Sequence, residues 1–591
     1  VTSLLFAILL SQEVTVKVVE KESGKPVFAR VVLRDPAGAV VGSTGYRTLN
    51  GHFVPPEGWK VPLAKGKYRL RADAGFEFFA LEEDWIHEGA AEKRIELRRW
   101  VDFRKDGWFA GGDHNHLNRD GAKDKNYGGT QVTLEFAAAL HASRGWAYYF
   151  SGGGGPWIVD GNAQPLHNGR RTEAAAAAWN AKYGGQLHLG WNNEILKTRY
   201  GHVWFVGACA SGPTYPYTDK PGDAWWSFYD DSWDPWQTGD RSKPIGPYRS
   251  GLWDLPPTYD CIRSWRDRGL ASIYAHPTRT FMIGKNRVSN IAVGLPFDLL
   301  AGAPVGGLAV MGDAPDHPQD QALWFAALNE GFRLPGVAEN DTVYGSPDIR
   351  VGPHVTYTHV PGMGPAFDPA KLAAALAEGR NFMSSGAFCT IRAEGAVVEV
   401  RAWASADPAD AIDVLEVIAN GRTLARFADA SGKREFVGKV RASAAKWAIA
   451  RVVCRNKSAV AITNPVYFGD PPAPLTATVK GRATSAGSGV PAEIVVSAWG
   501  KEVARSKAAA DGTYRLENVP LAARLTFAHG GISAERILLF HDPAIAGIHA
   551  RVWSTEFVGK PDSLAGVFPP DFFNVLRRMA KDVTLDAELS R

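Results

Sequence analysis

The hydrophobic period of this chain changes twice, and that change limits the folds open to it more than any other property. From Val14 to about Trp100 apolar and polar residues alternate in short runs, "VTVKVVE", "ARVVLRD", "KYRLRAD" and "KRIELRR", parted by Gly, Pro and Asp turns. Successive side chains of a strand point to opposite faces, so this is the pattern of half-buried strands, and it predicts a small β-sandwich. From about 101 to 388 apolar strand-like runs such as "HVWFVG" and "ASIYAHP" alternate with helical ones such as "TLEFAAALHASRG", "CIRSWRDRG" and "DQALWFAALNEG". Strand and helix in turn predict an α/β layered or barrel domain. "DPAKLAAALAEGR" is its expected last helix, with Asp368 as cap, Pro369 in the first turn and Gly379 near the end. After Phe388 the period returns to two, in "AVVEVRAWA", "IDVLEVIANGRTLARF" and "KWAIARVVCRN", with Asn420-Gly421 as a hairpin turn.

The expected architecture is therefore multidomain, α/β plus β, because 591 residues exceed what one core can serve. Residues 13–100 form a β-sandwich module, 101–388 the α/β domain, 389–470 a second β-domain and 475–548 a third β-module, with "GDPPAPL" at 469–475 as linker. Residues 549–591 form a tail, and "PPDFFNVLRRMAKDVTLDAELSR" within it reads as an amphipathic helix. The apolar run from Leu4 to Leu10 marks residues 1–12 as part of a signal peptide, so the protein is expected to be exported.

A net charge of +4 with no block of Lys or Arg argues against a nucleic-acid partner. No apolar stretch reaches the roughly 18 residues of a spanning helix. Cys209, Cys261, Cys389 and Cys454 form no CxxC pair, which leaves neither a zinc knuckle nor a disulfide framework. The 20 Trp are unusual, and "AWWSFYDDSWDPW" at 224–236 reads first as a loop packed over a domain and second as a sugar-stacking surface.

Chemistry is concentrated in the α/β segment. In "GGDHNHLN", residues 111–118, His114 and His116 are two apart, so an extended chain presents both imidazoles to one point; a polar turn explains the same residues equally well. Four further sites share the character: Glu194 and His202 in "WNNEILKTRYGHVWFVG", His276 in "YAHP", and Glu339 with Asp341 in "AENDT". Singly, His276 reads as a strand end, Glu194 as a solvated loop acid and Asp341 as a turn residue. Histidine is scarce, however, 15 in 591, and four of them fall at expected strand ends of one domain. Strand ends of an α/β domain converge on one crevice. Imidazoles mixed with carboxylates suit Zn, Mn or Fe. Asp113 would sit behind an imidazole and fix its tautomer. Glycines 152–155 could cradle an oxyanion, and Arg279 and Lys285 could bind an anion.

The ordered series "GDHNH", "NNEILKTRYGH", "YAHP", "AENDTVYG" and "DPAKLAAALAEGRNFMSSG" resembles the polymerase-and-histidinol-phosphatase (PHP) superfamily, within it the CehA/McbA-like metallohydrolases. The resemblance implies a distorted (β/α)7 barrel, flanked here by β-sandwich modules, with a two- or three-metal centre that hydrolyses phosphate, carboxylic or carbamate esters. It implies that His114 and His116 ligate one metal, that Glu194 bridges or acts as base, and that His202, His276 and Asp341 complete the set. The outer modules resemble carboxypeptidase-regulatory-like domains, clearest at Asp511-Gly512-Thr513-Tyr514. Two customary ligands are missing: Ser151 and four glycines stand where the family has Asp-His, and Thr342 and Val343 follow Asp341 in place of Asp-x-His. His141, His167 or Glu339 are the candidate substitutes. The expectation is a metal-dependent hydrolase with one or two divalent ions, Zn before Mn or Fe, acting on a small-molecule or carbohydrate-linked ester. The alternative is an exported, non-catalytic carbohydrate- or surface-binding protein.

Overall fold

The computed structural model describes residues 12–41, 52–112, 114–116, 123–124, 130–131, 134–153, 158–159, 162–163, 168–197, 201–207, 262, 266, 269–278, 280–283, 286–289, 292, 294–300, 302–312, 315–343, 354–364, 367–470, 476–498, 501–521, 523–538 and 582–590. The apolar run at 4–10 and the Trp-rich stretch at 224–236 lie outside these residues. Among the described residues, strands account for 50% and helices for 13%.

The amino-terminal module consists of two sheets. Gln12–Glu20 lies between Trp59–Leu63 and Glu92–Leu97 in one, and His52–Val54, Ala29–Arg34, Gly66–Asp73 and Leu81–His87 follow in order in the other. Alternation does what the sequence demands: Val14, Val16, Val31, Leu33, Leu70 and Ile95, drawn from both sheets, share one core.

A central layer follows this module in the chain. Its strands are β1 (Trp108–Gly112), β2 (Asn115–His116), β3 (Tyr148–Gly153), β4 (His188–Lys197), β5 (Gly201–Val206), β6 (Ala271–Tyr274), β7 (Gly307–Met311), β8 (Gly336–Ala338), β9 (Thr342–Val343), β10 (Val355–His359) and β11 (Asn381–Ser384). The helices are α1 (Leu134–Ala142), α2 (Asn168–Tyr183), α3 (Gly294–Leu300), α4 (Pro318–Asn329) and α5 (Pro369–Ala377). α5 is capped as expected, with Asp368 Oδ1 accepting from the N–H groups of Ala370 and Lys371 at 3.0 and 3.2 Å.

This layer corrects the expected (β/α)7 barrel. The described residues are mostly β, with too little helix among them for one behind every strand. β1, β3 and β4 run parallel, but β4 and β5, and β5 and β6, pair antiparallel. Only three residues separate Lys197 from Gly201, a hairpin length with no room for a crossover helix. On its other edge β1 pairs antiparallel with β10, and β10 with β11. From β11 the sheet continues through Val460–Thr463, Trp447–Cys454, Ile412–Ala419 and Arg422–Arg426 of the next domain, so one mixed sheet of 16 strands unites the two. Strand patterning does not distinguish a parallel neighbour from an antiparallel one, which is why the sequence reading erred. At its carboxyl end β2 pairs with β3 at Gly152 and with β9 at Thr342 and Val343, drawing β8, β9 and β2 together.

The Asn420-Gly421 hairpin forms between Ile412–Ala419 and Arg422–Arg426, both turn residues having positive φ (50 and 80°) as a type I′ turn requires. In the third module the carboxyl terminus departs from expectation. Asp582–Thr584 and Ala587–Leu589 are strands parallel to Thr476–Ser485, not part of a helix. The cause is legible afterwards: Val583, Leu585, Ala587 and Leu589 are buried and alternate with exposed residues, a period of two that outweighs the helical reading of the whole tail. Residues 569–581 lie outside the described part. Cys389 and Cys454 are buried free thiols. Among the described residues no helix is long and apolar enough to cross a membrane.

Candidate metal centre

Gly111 and Gly112 end β1, and crowding explains them. A Cβ on Gly111 would lie 2.5 Å from the Tyr148 ring; one on Gly112 would lie 2.3 Å from Trp146 Cη2 and 3.2 Å from Asn340 Nδ2. Without side chains there, the strand passes beneath two aromatic rings and delivers His114 to the strand end, only 1% exposed. β6 is buried along its whole length and is followed by His276, 5% exposed, before Pro277. Past β8 comes Glu339, 2% exposed, whose backbone N–H donates to Met311 O of β7 at 2.8 Å. Asn340 clamps this segment to the start of β10, donating from Nδ2 to His354 O at 2.9 Å and accepting at Oδ1 from His354 N–H at 3.1 Å.

Two residues here hold backbone strain. Among the described residues five non-glycines have positive φ. Asn420 and Ala486 are in turns and Asn518 is at a β-bulge; the other two are His276 (φ 25°) and Asp341 (φ 41°). Such backbone costs about 1–3 kcal/mol per residue and clusters where a side chain must be aimed.

The side chains converge. Nδ1 of His114 is 3.1 Å from Glu339 Oε1, and its Nε2 is 3.5 Å from Asp341 Oδ1. Glu339 Oε2 accepts from the His276 backbone N–H at 2.9 Å. One ligand-type atom each from His114, His276 and Glu339 lies within 4.8 Å of the other two, and this buried group can hold a metal ion. Burial opposes ionisation of Glu339, but the facing His114 and His276 imidazoles outweigh it and hold the carboxyl below its usual range. β5 supplies the wall. His202 stands 4.8 Å from His276 and Trp204 4.5 Å from His114, ring centre to ring centre, and the two are two residues apart on one strand face.

The structure brings together four of the six expected ligands. His114, His202, His276 and Asp341 gather here, and Glu339, named only as a substitute, joins His114 and His276 directly. His116 is in β2, its backbone paired with Val343 and Gly152, and Glu194 is in β4, in register with Trp204. The side chains of both, and Asp113, His167, Arg279 and Lys285, lie outside the described residues. His141 has a packing role: on α1 its Nδ1 donates to Ala137 O at 2.7 Å, its ring lies against Trp146 and Tyr149, and burial pushes its pKa down to about 3. Trp204 was missed, although the alternation in "HVWFV" places it on the face of His202.

No family model matches the chain, and no curated protein matches it. Solved structures give faint likenesses. BcpA, the major pilin subunit of Bacillus cereus, is 8% identical over 98% of this chain and 99% of its own, with a TM-score of 0.16. An FMN-binding beta-glucuronidase from Facaelibacterium prausnitzii L2-6 is 9% identical over 76% of this chain and 70% of its own, with a TM-score of 0.15. Beta-glucuronidase 3 of Bacteroides uniformis is 9% identical over 89% and 76%, also at 0.15. At these TM-scores the likenesses carry no inference about fold or activity.

Proposed function

We propose that the protein is a metal-dependent hydrolase of ester, carbamate or phosphoester bonds, with His114, His276 and Glu339 as the protein ligands of one divalent cation, Zn before Mn or Fe. The observation that carries the reading is the convergence of two imidazoles and a carboxylate within 4.8 Å in a buried site. Two His and one Glu are a donor set of catalytic zinc, which leaves a coordination position open, whereas structural sites close all four. Bound there, the cation would lower the pKa of a water and polarise the acyl or phosphoryl oxygen.

The chain's own residues have distinct tasks. His114 turns Nδ1 toward Glu339 and leaves Nε2 to Asp341, so Asp341 orients the imidazole as an outer carboxylate. The His276 backbone N–H pins Glu339. The buried Trp204 and His202 form one wall, packed against the His114 and His276 rings. A second ion would need Glu194 and His116 in addition.

Elemental analysis of the full chain, paired with hydrolysis of 4-nitrophenyl acetate, a 4-nitrophenyl carbamate and 4-nitrophenyl phosphate, tests this. Stoichiometric metal, with turnover lost to a chelator and restored by the cation, is expected. Hydrolysis undiminished in metal-free protein, or an iron centre that consumes dioxygen, would overturn it.

A further inference from the structure

Beside the three ligands lies a pair the sequence reading passed over. The segment "DAPDHPQD" follows β7, and its His317 caps α4, with Pro318 in the first turn. His317 Nδ1 is 2.9 Å from Asp320 Oδ2, the separation of a charge-assisted hydrogen bond with Nδ1 as donor, and 3.4 Å from the Asp320 backbone nitrogen, the longer capping contact in which Nδ1 is the acceptor. Asp320 is 3% exposed. Its other oxygen accepts from Thr278 Oγ1 at 2.6 Å, two residues beyond His276. Burial raises the Asp320 pKa, the His317 and Thr278 hydrogen bonds oppose it, and the Glu339 carboxylate repels the same group across the site. The dyad is thus within electrostatic range of the cluster, while the His317 side chain keeps 27% of its surface open.

The loop is held from the far side as well. Asp316 accepts two hydrogen bonds from Arg451 Nη1, at 2.9 and 3.0 Å, and one from Gln321 Nε2 at 2.8 Å. Arg451 belongs to the following β-domain and is tied there to the buried Glu416. A helix cap alone explains none of this: a short Asp, Ser or Asn caps as well, without an imidazole backed by a buried carboxylate.

Resting on the hydrolase reading above, we propose that His317 is the proton-transfer group of the site and Asp320 its positioning residue. As the water oxygen bonds to the acyl carbon or phosphorus, His317 Nε2 takes the released proton. It returns that proton to the leaving-group oxygen as the scissile bond's electron pair departs to that oxygen. Asp320 holds Nδ1–H and stabilises the imidazolium between the two steps. Among the described residues the charged group at the ring is Asp320, with Glu339 acting on Asp320 in turn, while Asp316 is paired with Arg451.

The test compares the full-length wild type with His317→Asn, which keeps a good cap while removing the imidazole, and with Asp320→Asn. Metal content, kcat, KM and the pH profile are read with 4-nitrophenyl acetate and with an alkyl acetate. His317→Asn should keep its metal and lose about 100-fold to 10⁴-fold in kcat on the alkyl ester, less on the 4-nitrophenyl ester, whose leaving group needs no proton. Asp320→Asn should shift the His317 limb of the pH profile to lower pH, an effect that a purely structural role would not produce. Wild-type kcat on the alkyl ester in metal-replete His317→Asn overturns the proton-transfer role alone. A wild type without metal or hydrolysis overturns the hydrolase reading and this proposal with it.

Discussion

Replacing Glu339 by Gln separates the metal site from the fold around it. Gln keeps the size of Glu and one carbonyl oxygen, so it can still accept from the His276 N–H that Glu339 Oε2 engages at 2.9 Å. What goes is the anionic ligand facing His114 at 3.1 Å. Outer-shell partners of a metal ligand are each worth about 10–100-fold in affinity, so loss of a direct ligand should cost at least about 100-fold. At a cation concentration about 1,000 times the wild-type Kd, binding stabilises the native state by about 4.1 kcal/mol; a 100-fold weaker site leaves about 1.4, a difference of about 2.7 kcal/mol. For a domain of this size about 1 kcal/mol moves Tm by about 2–4 °C, so the zinc-dependent rise in Tm should be roughly 5–10 °C smaller in the variant. Differential scanning fluorimetry with and without zinc measures it, and the metal-free forms should melt nearly together. An equal zinc-dependent rise in both proteins would refute the assignment of Glu339 as a ligand.

Gly112→Ala should cost about 1–3 kcal/mol in urea unfolding and lower metal affinity, because its Cβ would lie 2.3 Å from Trp146; a variant of wild-type stability with full metal would refute the crowding argument. Glu77 is buried beside Arg99, and burial, against the pull of Arg99, raises its pKa from 4.5 to about 7. Raised on folding, it contributes stability that is complete below about pH 4.5 and lost as pH rises through 7, about 3 kcal/mol in all. Glu77→Gln should therefore gain on wild type between pH 5 and 7, and parallel stability profiles would contradict this. Burial depresses His141 to about 3 and His188 to about 4, so their neutral forms stabilise the protein above about 6.5 and that stability is lost on acidification toward those values. His141→Phe should be less sensitive to acid than wild type from pH 6 to 4, and an unchanged acid limb would refute that reading.

Local patterning was legible where one physical rule dominated. The period-two strands of the amino-terminal module, the Asp368 cap and the Asn420-Gly421 turn follow from side-chain alternation, an orphan N–H and positive φ, none of which needs distant residues. Strand pairing was not legible, since β5 looks the same whether its neighbours run parallel or antiparallel. Period can also mislead: the tail was read as a helix while "DVTLDAEL" alternated at its end. At the site, His114 and His276 were expected as ligands, and the structure brings them into one group that could hold an ion. Glu339 could only be offered as a substitute, because choosing between it and Asp341 depends on a backbone turn at Asp341 that spacing does not encode. His317 and Asp320 escaped because a cap and a dyad look alike until Thr278 and Arg451 are seen beside them.

Anomalous diffraction from zinc-loaded crystals, collected at the metal absorption edge, tests the central claim most directly. One strong peak is expected among His114, His276 and Glu339, at about 2.0–2.2 Å from a nitrogen of each imidazole and an oxygen of the carboxylate. Absence of a peak there at saturating zinc, or a peak elsewhere with those three side chains uncoordinated, would contradict the account.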